Sequence, residues 1–547
     1  MSREFANKIE MQNRLFAELS AMFGREVPLY DKSLLVNKIC NQAARALLSR
    51  VHVGFSLSDE QLDKTSGERH GAIRIGKPSE YRWVGGFFAA FGLEPHNFYD
   101  MTNVGARSQP IVATAFRSSL NPEHRIFCSL LMTDYFDAGI RQRIEALLES
   151  REVFSDRAKE LILKNQEQNG LNGEDARELI REGVTRIFKW TGQARDYQLY
   201  QDLCQAGFKI AADIACFEYH HLNHLTPNTL CMDLYTGAMK FCLGEMEAGA
   251  HKARAQRALQ RLQQFADKDY MKLHFKHLPA QVIDSYGGGS VPEGFTHELA
   301  GQLTSRLQQA DLQLGQWNHA GFKDFTEGPP EDTPILLRQD AYKALTEPVS
   351  FHQPDGSTIN SAHTARFGEI EQRFYATTPA GRRLYDQCLA AAEEMRAKNP
   401  NWIKQDYAAC QKEYAQCFAA FPKTLPALLE KKLVYGRFTA TSKGLAAKAS
   451  KTIQTRDLNE LIRLGYVHGD GLRYEDFLPV SAAGIFASNL GQYGTKSTAA
   501  AKPVYTGEML EEILGRKIID SDAIYRSQQE ESIRQAHEQL GLACQNP

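Results

Sequence analysis

The sequence lacks an excess of charge of either sign. Its 64 basic and 66 acidic residues give a formal net charge of -2 over 547 residues. A protein that binds nucleic acid or docks on an anionic membrane usually carries a clear basic excess or patch. We therefore expect neither nucleic acid nor a membrane among its partners.

Long apolar runs and paired cysteines are also missing. No run of about twenty apolar residues occurs, so no membrane-spanning helix is expected. A secretory signal begins with a basic segment followed by an apolar one. Residues 1–5 (MSREF) do not start such a pattern, which favours a cytoplasmic location. The ten cysteines form no C-x-x-C pair, so a zinc ribbon or thioredoxin-like motif is absent and reduced thiols are expected.

The sequence does have the composition of an ordinary soluble protein, with 43% hydrophobic and 24% charged residues. Its length suggests about two to four structural units. From about residue 140 to 200, apolar residues recur at helical spacing after a candidate cap at Asn172. A second helical block is predicted at 241–325, with a flexible connector at its glycine run. Short apolar segments bounded by Gly or Pro, such as 334–338 and 477–480, predict strands.

His70 and Arg74 lie in a strand-like segment, residues 69–75 (RHGAIRI). Because side chains alternate along a strand, both should lie on one face. Four residues of strand span about 13 Å, which leaves room for a dicarboxylate between a metal ligand and a guanidinium. Arginine grips a carboxylate through two parallel hydrogen bonds. A core histidine and a structural salt bridge, such as one from Arg74 to Glu68, would explain the same pattern.

Three further candidate ligands occur in residues 220–224 (HHLNH). A neutral imidazole binds iron well when an acceptor holds its other nitrogen. Strand alternation would place His220 and His224 on one face and His221 on the other. The sequence alone does not choose among the three.

Glu369 and Glu371 are the carboxylates of residues 367–373 (FGEIEQR), and alternation places both on one face. Two histidines and one carboxylate form the ligand set of a non-haem iron site, which leaves one face of the metal open. Carboxylates roughly 6 to 7 Å apart would also suit a glycosidase. A solvated edge strand is the simplest alternative.

At these residues the chain resembles the 2-oxoadipate dioxygenase/decarboxylases, a family also called D-2-hydroxyglutarate synthases. The segments that carry the resemblance are residues 68–74 (ERHGAIR), 223–227 (NHLTP), 335–339 (ILLRQ), 363–373 (HTARFGEIEQR) and 474–486 (YEDFLPVSAAGIF). They follow one another from near the N-terminus to about residue 490, which makes the likeness specific. The helical block at about 241–325 departs from the family pattern.

The resemblance implies an α+β fold similar to that of vicinal oxygen chelate proteins, in which βαββ units curl into a half-open β-barrel around one metal, with helices outside. It implies Fe(II) as the cofactor. The residues it assigns are the metal ligands His70, His224 and Glu369, the carboxylate-binding Arg74, and the substrate contacts Val480 and Ser481, with His70 also near the substrate. The preferences for His224 over its neighbours and for Glu369 over Glu371 rest on this likeness.

On this interpretation, residues 1–240 are the first part of the metal-binding catalytic domain with a helical layer. Residues 241–325 are a helical insertion, 326–490 are the second part of the catalytic domain, and 491–547 are a C-terminal helical tail.

The implied small-molecule partners are 2-oxoadipate and O2. A six-carbon 2-oxo diacid that loses CO2 and gains both oxygen atoms gives 2-hydroxyglutarate without a separate 2-oxoglutarate cosubstrate. The family implies the D product and a role in lysine catabolism. Two alternatives stay open: a metal-dependent isomerase or lyase of the same fold, with Glu369 or Glu371 as base, and a non-catalytic, metal-stabilised assembly protein. The oligomeric state is undetermined.

Overall fold

The structure is a computed structural model, and it describes residues 5–67, 69–104, 108–312, 314, 321–323, 326–478, 496–500 and 503–542. The strands are β1 (His52–Val53), β2 (Arg69–Ile75), β3 (Glu94–Asp100), β4 (Ile111–Arg117), β5 (His124–Leu131), β6 (Gln193–Arg195), β7 (His224–Pro227), β8 (Gly287–Gly288), β9 (Leu337–Tyr342), β10 (Thr346–His352), β11 (Thr358–Thr364), β12 (Gly368–Arg373), β13 (Gly436–Ala440) and β14 (Val467–Gly471).

The helices surround these strands. They are α1 (Lys8–Glu26), α2 (Pro28–Val51), α3 (Asp59–Thr65), α4 (Pro78–Ala90), α5 (Ala138–Glu149), α6 (Asp156–Gln168), α7 (Gly173–Glu182), α8 (Tyr197–Gln205), α9 (Lys209–Cys216), α10 (Met232–Cys242), α11 (Ala248–Phe265), α12 (Lys268–His274), α13 (Ala280–Asp284), α14 (Phe295–Gln309), α15 (Pro379–Lys398), α16 (Trp402–Gln405), α17 (Tyr407–Cys417), α18 (Leu425–Glu430), α19 (Ser442–Ala449), α20 (Leu458–Arg463), α21 (Gly507–Leu514) and α22 (Ser521–Gln539).

β2 lies inside a five-stranded sheet with the strand order β3-β4-β5-β2-β7. It runs parallel to β5 and antiparallel to β7, so both of its edges are paired. Every residue of β4 and β5 is buried, as expected for a sheet covered on both faces. The register places His70 opposite Thr226 and Ala72 opposite His224. The two histidines therefore come together on neighbouring strands in the interior.

β12 lies beside the end of β7 and brings the two glutamates to the same place. It pairs antiparallel with β9, and the Thr229 backbone N–H donates to the Glu371 carbonyl at 2.8 Å. Gly368 opens β12 opposite Tyr342, and a Cβ at this position would overlap the Tyr342 ring. Glycine therefore permits the close pairing that positions Glu369 one residue later.

The helical layer predicted for about residues 140–200 is largely confirmed by α5, α6 and α7. Asn172 caps α7 as predicted, because its side chain accepts hydrogen bonds from the backbone N–H groups of Glu174 and Asp175. A π-helical turn, Gly183–Ile187, ends this layer. The chain then forms β6 before α8 begins.

The predicted helical block at 241–325 contains α11, α12, α13 and α14. The apolar face of α11, formed by Ala255, Ala258, Leu259 and Leu262, is buried. α11 and α14 contact each other and α2, so the block shares a hydrophobic core with the N-terminal helices. The glycine run differs from the flexible connector that was predicted, because β8 forms there and pairs with β1.

The protein is a mixture of helices and sheets, as the α+β prediction requires. Within the described ranges, the strands form separate sheets and none closes into a barrel.

The strand predicted at 334–338 begins later, at Leu337, after a left-handed Leu336 (φ 54°). Of the strand predicted at 477–480, Phe477 and Leu478 lie outside any strand. In the described part of the chain, no helix is long and apolar enough to cross a bilayer. The cysteines described are free thiols, and the domain boundaries stay predictions.

Candidate metal centre

Three of the predicted residues, His70, His224 and Glu369, meet in the interior between β2, β7 and β12. All three side chains are buried. Nε2 of His70 lies 3.4 Å, and Nε2 of His224 3.5 Å, from Oε2 of Glu369. The two imidazole rings meet edge to face, with centroids 5.5 Å apart. One possible ligand atom from each residue lies within 4.8 Å of the others, so this trio could hold one ion.

The atoms of the trio fit a metal ion. Among the described residues, Nε2 of His70, both ring nitrogens of His224 and Oε1 of Glu369 are buried without a hydrogen-bond partner. Buried polar atoms are costly when they lack partners, and nitrogen lone pairs that face a carboxylate repel it unless a cation lies between them. Two imidazoles and one carboxylate are the donor set of a non-haem Fe(II) site. The local chemistry therefore suits a bound cation.

Glu371 holds His70 from its other side. Its Oε2 accepts a hydrogen bond from Nδ1–H of His70 at 2.8 Å, which fixes the tautomer whose Nε2 lone pair faces Glu369. Arg125 and Arg373 donate to Oε1 of Glu371 at 3.3 and 2.8 Å. The structure thus separates the two carboxylates that the spacing left open, because Glu369 faces both Nε2 atoms and Glu371 positions one ring.

The charges around the trio favour an ionised Glu371 and a neutral His224. Burial would raise the pKa of Glu371, but Arg373, His70 and Arg125 outweigh it and hold the pKa well below its usual range. Burial likewise opposes protonation of His70, whose pKa is nevertheless raised by the two glutamates beside it. Burial lowers the pKa of His224 to about 4, so its imidazole is in the form that binds metals.

Glu369 is oriented by two polar neighbours. The Thr226 hydroxyl and the Gln339 side-chain amide donate to its Oε2 at 3.0 and 3.4 Å. Aromatic rings complete the surroundings, with Phe477 5.0 Å from the His70 ring and Phe367 4.9 Å from the His224 ring, centroid to centroid. The trio is therefore enclosed by apolar rings and oriented by a few specific hydrogen bonds.

The neighbouring histidines of the 220–224 run make other contacts. Nε2 of His220 lies 3.5 Å from Glu80, and Nε2 of His221 lies 3.2 Å from Asp213. β7 begins at His224, so the alternation predicted from His220 onwards does not apply. Of the three histidines, His224 is the one whose side chain lies beside Glu369.

Arg74 is buried in a second polar cluster, which surrounds Asp213. Its Nη1 donates to Asp213 at 2.6 Å and to the Asn223 side-chain oxygen at 2.7 Å. Asp213 also hydrogen-bonds with Nε2 of His363 at 3.0 Å, and Nδ1 of His363 with the Tyr200 hydroxyl at 2.9 Å. Arg74 therefore forms the structural ion pair that was one interpretation of the sequence, with Asp213 as its partner.

Three predicted positions, Glu68, Val480 and Ser481, lie outside the described residues. Sequence reasoning did not identify Arg125 and Asp213, because each is an isolated charged residue far along the chain from the groups it contacts. Gln339 is the last residue of 335–339, one of the segments that resemble the family, and no other feature of the sequence pointed to a role for it.

Fold and site together define a mixed helix-and-sheet protein with a buried centre of two histidines and one carboxylate, of the kind that can bind one metal ion. The model of the family described as 2-oxoadipate dioxygenase/decarboxylase matches residues 15–265 and 295–489. The chain belongs to this family. The helical block at 241–325 was expected to depart from the family pattern, but the match leaves out only its residues 266–294, which contain α12, α13 and the glycine run.

Individual relatives agree with this assignment. A 2-oxoadipate dioxygenase/decarboxylase of Pseudomonas putida is 31% identical, with 99% of both chains aligned. Another, of Escherichia coli, is 31% identical over 96% of this chain and 97% of its own. The crystal structure of the hydroxyglutarate synthase of P. putida in complex with 2-oxoadipate superposes with a TM-score of 0.67 and 30% identity, covering 99% of this chain and 100% of that one. The family resemblance carried by the sequence segments is confirmed.

Proposed function

We propose that this protein is an Fe(II)-dependent dioxygenase that converts 2-oxoadipate and O2 to D-2-hydroxyglutarate and CO2. The observation that carries the proposal is the buried trio His70, His224 and Glu369, in a chain of this family. Within the described structure, the two Nε2 atoms that face Glu369 lack hydrogen-bond partners. One oxygen atom would enter the new carboxylate and the other the hydroxyl group, so the atoms balance.

The arrangement of strands is consistent with a vicinal oxygen chelate-like fold. β2, β7 and β12 each supply one residue of the trio, and β12 is bridged to the end of β7. We propose that these strands form the metal-bearing wall of a half-open barrel, with helices outside.

In this proposal, Fe(II) is held by His70, His224 and Glu369. When bound, it would supply an open face where the 2-oxo acid and O2 meet and exchange electrons. Glu371 keeps the proton of His70 on Nδ1, so that Nε2 can act as a ligand. The aromatic rings beside the histidines limit access of bulk water.

Arg74 would bind the far carboxylate of the substrate, and we expect Val480 and Ser481 to contact the rest of it. Arg74 lies four residues from His70 on β2, a distance of about 13 Å along the strand. Asp213 and Asn223 both accept from its Nη1, so the guanidinium is oriented before substrate binds. A pre-oriented cation suits recognition of a charged chain end.

An isomerase or lyase of the same fold would need a carboxylate that is free to act as a base. Glu371 accepts hydrogen bonds from His70, Arg125 and Arg373, and its pKa is held well below the usual range. Glu371 is therefore a poor base. Burial would raise the pKa of Glu369, but His224 and His70 lower this pKa below its ordinary value. Neither carboxylate is a strong base, which favours the dioxygenase proposal over this alternative.

The proposal is tested by loading the protein with Fe(II) without air, adding 2-oxoadipate and then admitting O2. We expect uptake of one O2 for each CO2 and each 2-hydroxyglutarate formed, and a chiral assay identifies the isomer. The His224→Ala variant serves as the control and should consume no O2 with substrate. Turnover of 2-oxoadipate without O2 uptake would refute the proposal.

The role of Arg74 is tested by comparing 2-oxoadipate with 2-oxohexanoate, which lacks the far carboxylate. The wild-type protein should strongly prefer 2-oxoadipate, because the analogue has no far carboxylate to bind the oriented guanidinium of Arg74. Arg74→Ala should remove most of this preference while Fe(II) binding persists. Arg143→Ala, which removes a surface ion pair with Asp202, is the matched control and should keep the preference. Equal losses of iron binding and turnover in Arg74→Ala would contradict the assigned role.

A further inference from the structure

A cavity of about 450 Å³ lies between α11, α17 and β9. Its basic lining residues are Arg254, Arg257, Arg261, Arg338, Lys412 and Lys423. None of the trio residues lines it. Its volume is within the range of small-molecule sites.

The cavity has more basic than acidic side chains. Three acidic residues line it, and each pairs with one base at 3.0 to 3.2 Å: Asp233 with Arg338, Glu331 with Arg261, and Asp332 with Lys423. Arg254, Arg257 and Lys412 have no acidic partner among the described residues. Arg254 donates to the hydroxyl groups of Thr236 and Tyr407 instead. The lining therefore carries three uncompensated positive charges.

Arg338 adds buried donors to this charge. Its side chain is 4% exposed, and its Nη2 donates to Asp233 at 3.2 Å. Its Nε and Nη1 are buried without a hydrogen-bond partner within the described ranges. Buried N–H groups without acceptors destabilise a protein, and an anion in the cavity would provide acceptors.

We propose that this cavity is a second ligand site, which binds a small anion carrying two or three negative charges on phosphate or carboxylate groups. A concave site with an excess of one charge concentrates ions of the opposite sign. The planar fork of arginine matches both phosphate and carboxylate oxygens. Three uncompensated cations favour a multivalent anion over a singly charged one.

The second site lies close to the metal centre but on the other face of β9. Arg338 and Gln339 are adjacent in this strand, so their side chains point to opposite faces. Arg338 lines the cavity, while Gln339 donates to Glu369 at 3.4 Å. A ligand in the cavity would therefore contact Arg338, and the adjacent residue, Gln339, orients Glu369.

The test is calorimetric titration of the full-length protein with pyrophosphate, citrate and acetate. We expect pyrophosphate or citrate to bind at least tenfold more tightly than acetate, and the tighter of the two identifies the preferred group. The Arg257→Gln/Lys412→Gln double variant removes two exposed cavity charges and should weaken that binding at least tenfold. Binding should persist in His70→Ala, which separates the cavity from the metal centre and from the proposed enzymatic activity.

Lys431→Gln/Arg456→Gln is the matched control, because both residues are exposed, lie outside the cavity lining and change the charge equally. It should weaken binding less than twofold. The proposal is overturned if neither multivalent anion binds more tightly than acetate. It is also overturned if the two double variants weaken binding to the same extent, or if His70→Ala abolishes it.

Discussion

The two halves of β2 both depend on a buried carboxylate, but these carboxylates are held in different ways. Near His70, Glu371 accepts hydrogen bonds from the histidine and from two arginines. Near Arg74, Asp213 is paired with a single arginine, and its other close partners are histidines. Two arginines contact Glu371, one of them (Arg125) shared with Glu475, whereas one arginine contacts Asp213. We infer that the first cluster fixes a metal ligand and the second orients a substrate-binding cation.

The largest effect is expected for the trio that the first cluster supports. Glu369→Ala removes the carboxylate that faces both Nε2 atoms. Fe(II) binding and Fe(II)-dependent O2 uptake should both fall below detection, because two imidazoles alone leave the ligand set incomplete. Metal analysis after reconstitution measures the first, and an oxygen electrode the second. A variant that kept stoichiometric Fe(II) would exclude Glu369 as a ligand.

Glu371→Gln tests whether the first cluster acts on the metal. The variant weakens the acceptor for His70 Nδ1 and removes the negative charge beside Arg373 and Arg125, of which Arg125 keeps its ion pair with Glu475. Fe(II) affinity should fall roughly 10- to 100-fold, as for other partners of metal-binding histidines. The free energy of unfolding should fall by about 3–5 kcal/mol, because buried charges lose their partner. Fe(II) titration and urea denaturation measure the two effects.

Glu475→Gln is the matched control for this prediction. Glu475 accepts a hydrogen bond from Arg125 at 2.7 Å and makes no described contact with His70. It should lower stability while leaving Fe(II) affinity within about twofold of wild type, since no partner of a metal-binding histidine changes. Equal losses of Fe(II) affinity in the two variants would mean that Glu371 acts only through general stability.

Asp213→Asn tests the second cluster. Hydrogen bonds to charged groups contribute about 1.5–3 kcal/mol, so kcat/KM for 2-oxoadipate should fall roughly 10- to 100-fold. Fe(II) affinity should change little, because Asp213 contacts none of the trio. Tyr200→Phe, which removes the hydroxyl that contacts His363, should have a smaller effect in the same direction. Loss of Fe(II) affinity in Asp213→Asn would abolish the distinction between the two clusters.

The two clusters also differ in how far sequence could predict them. His70, His224 and Glu369 stand in short segments that resemble a known family, and alternation along a strand correctly grouped Glu369 with Glu371. The resemblance preferred Glu369 over Glu371, but the physical reason lies in the contacts of Glu371 with Arg125 and Arg373, which strand alternation does not predict. For Arg74, the strand pattern predicted a functional cation, whereas its partner Asp213 lies on a helix with no recognisable motif.

Helices were easier to predict than strand boundaries. The α7 cap and the apolar face of α11 follow from local spacing and local hydrogen bonds. The strand predicted at 334–338 was displaced, because the start of β9 depends on pairing with β12 and on backbone strain at Leu336. Pairing of the glycine run with β1 likewise depends on a contact between segments far apart in the chain.

The smallest effect is expected far from both clusters, at the cap of α7. Asn172→Ala removes two hydrogen bonds to backbone N–H groups and should lower the free energy of unfolding by about 1 kcal/mol. Fe(II) affinity and kcat/KM should stay at wild-type values, since this exposed residue contacts neither cluster. Denaturation, Fe(II) titration and steady-state kinetics check the three quantities. A loss of Fe(II) affinity or of kcat/KM in Asn172→Ala would mean that mild destabilisation alone impairs the site. The losses in Glu371→Gln and Asp213→Asn could then no longer be assigned to metal positioning and substrate positioning.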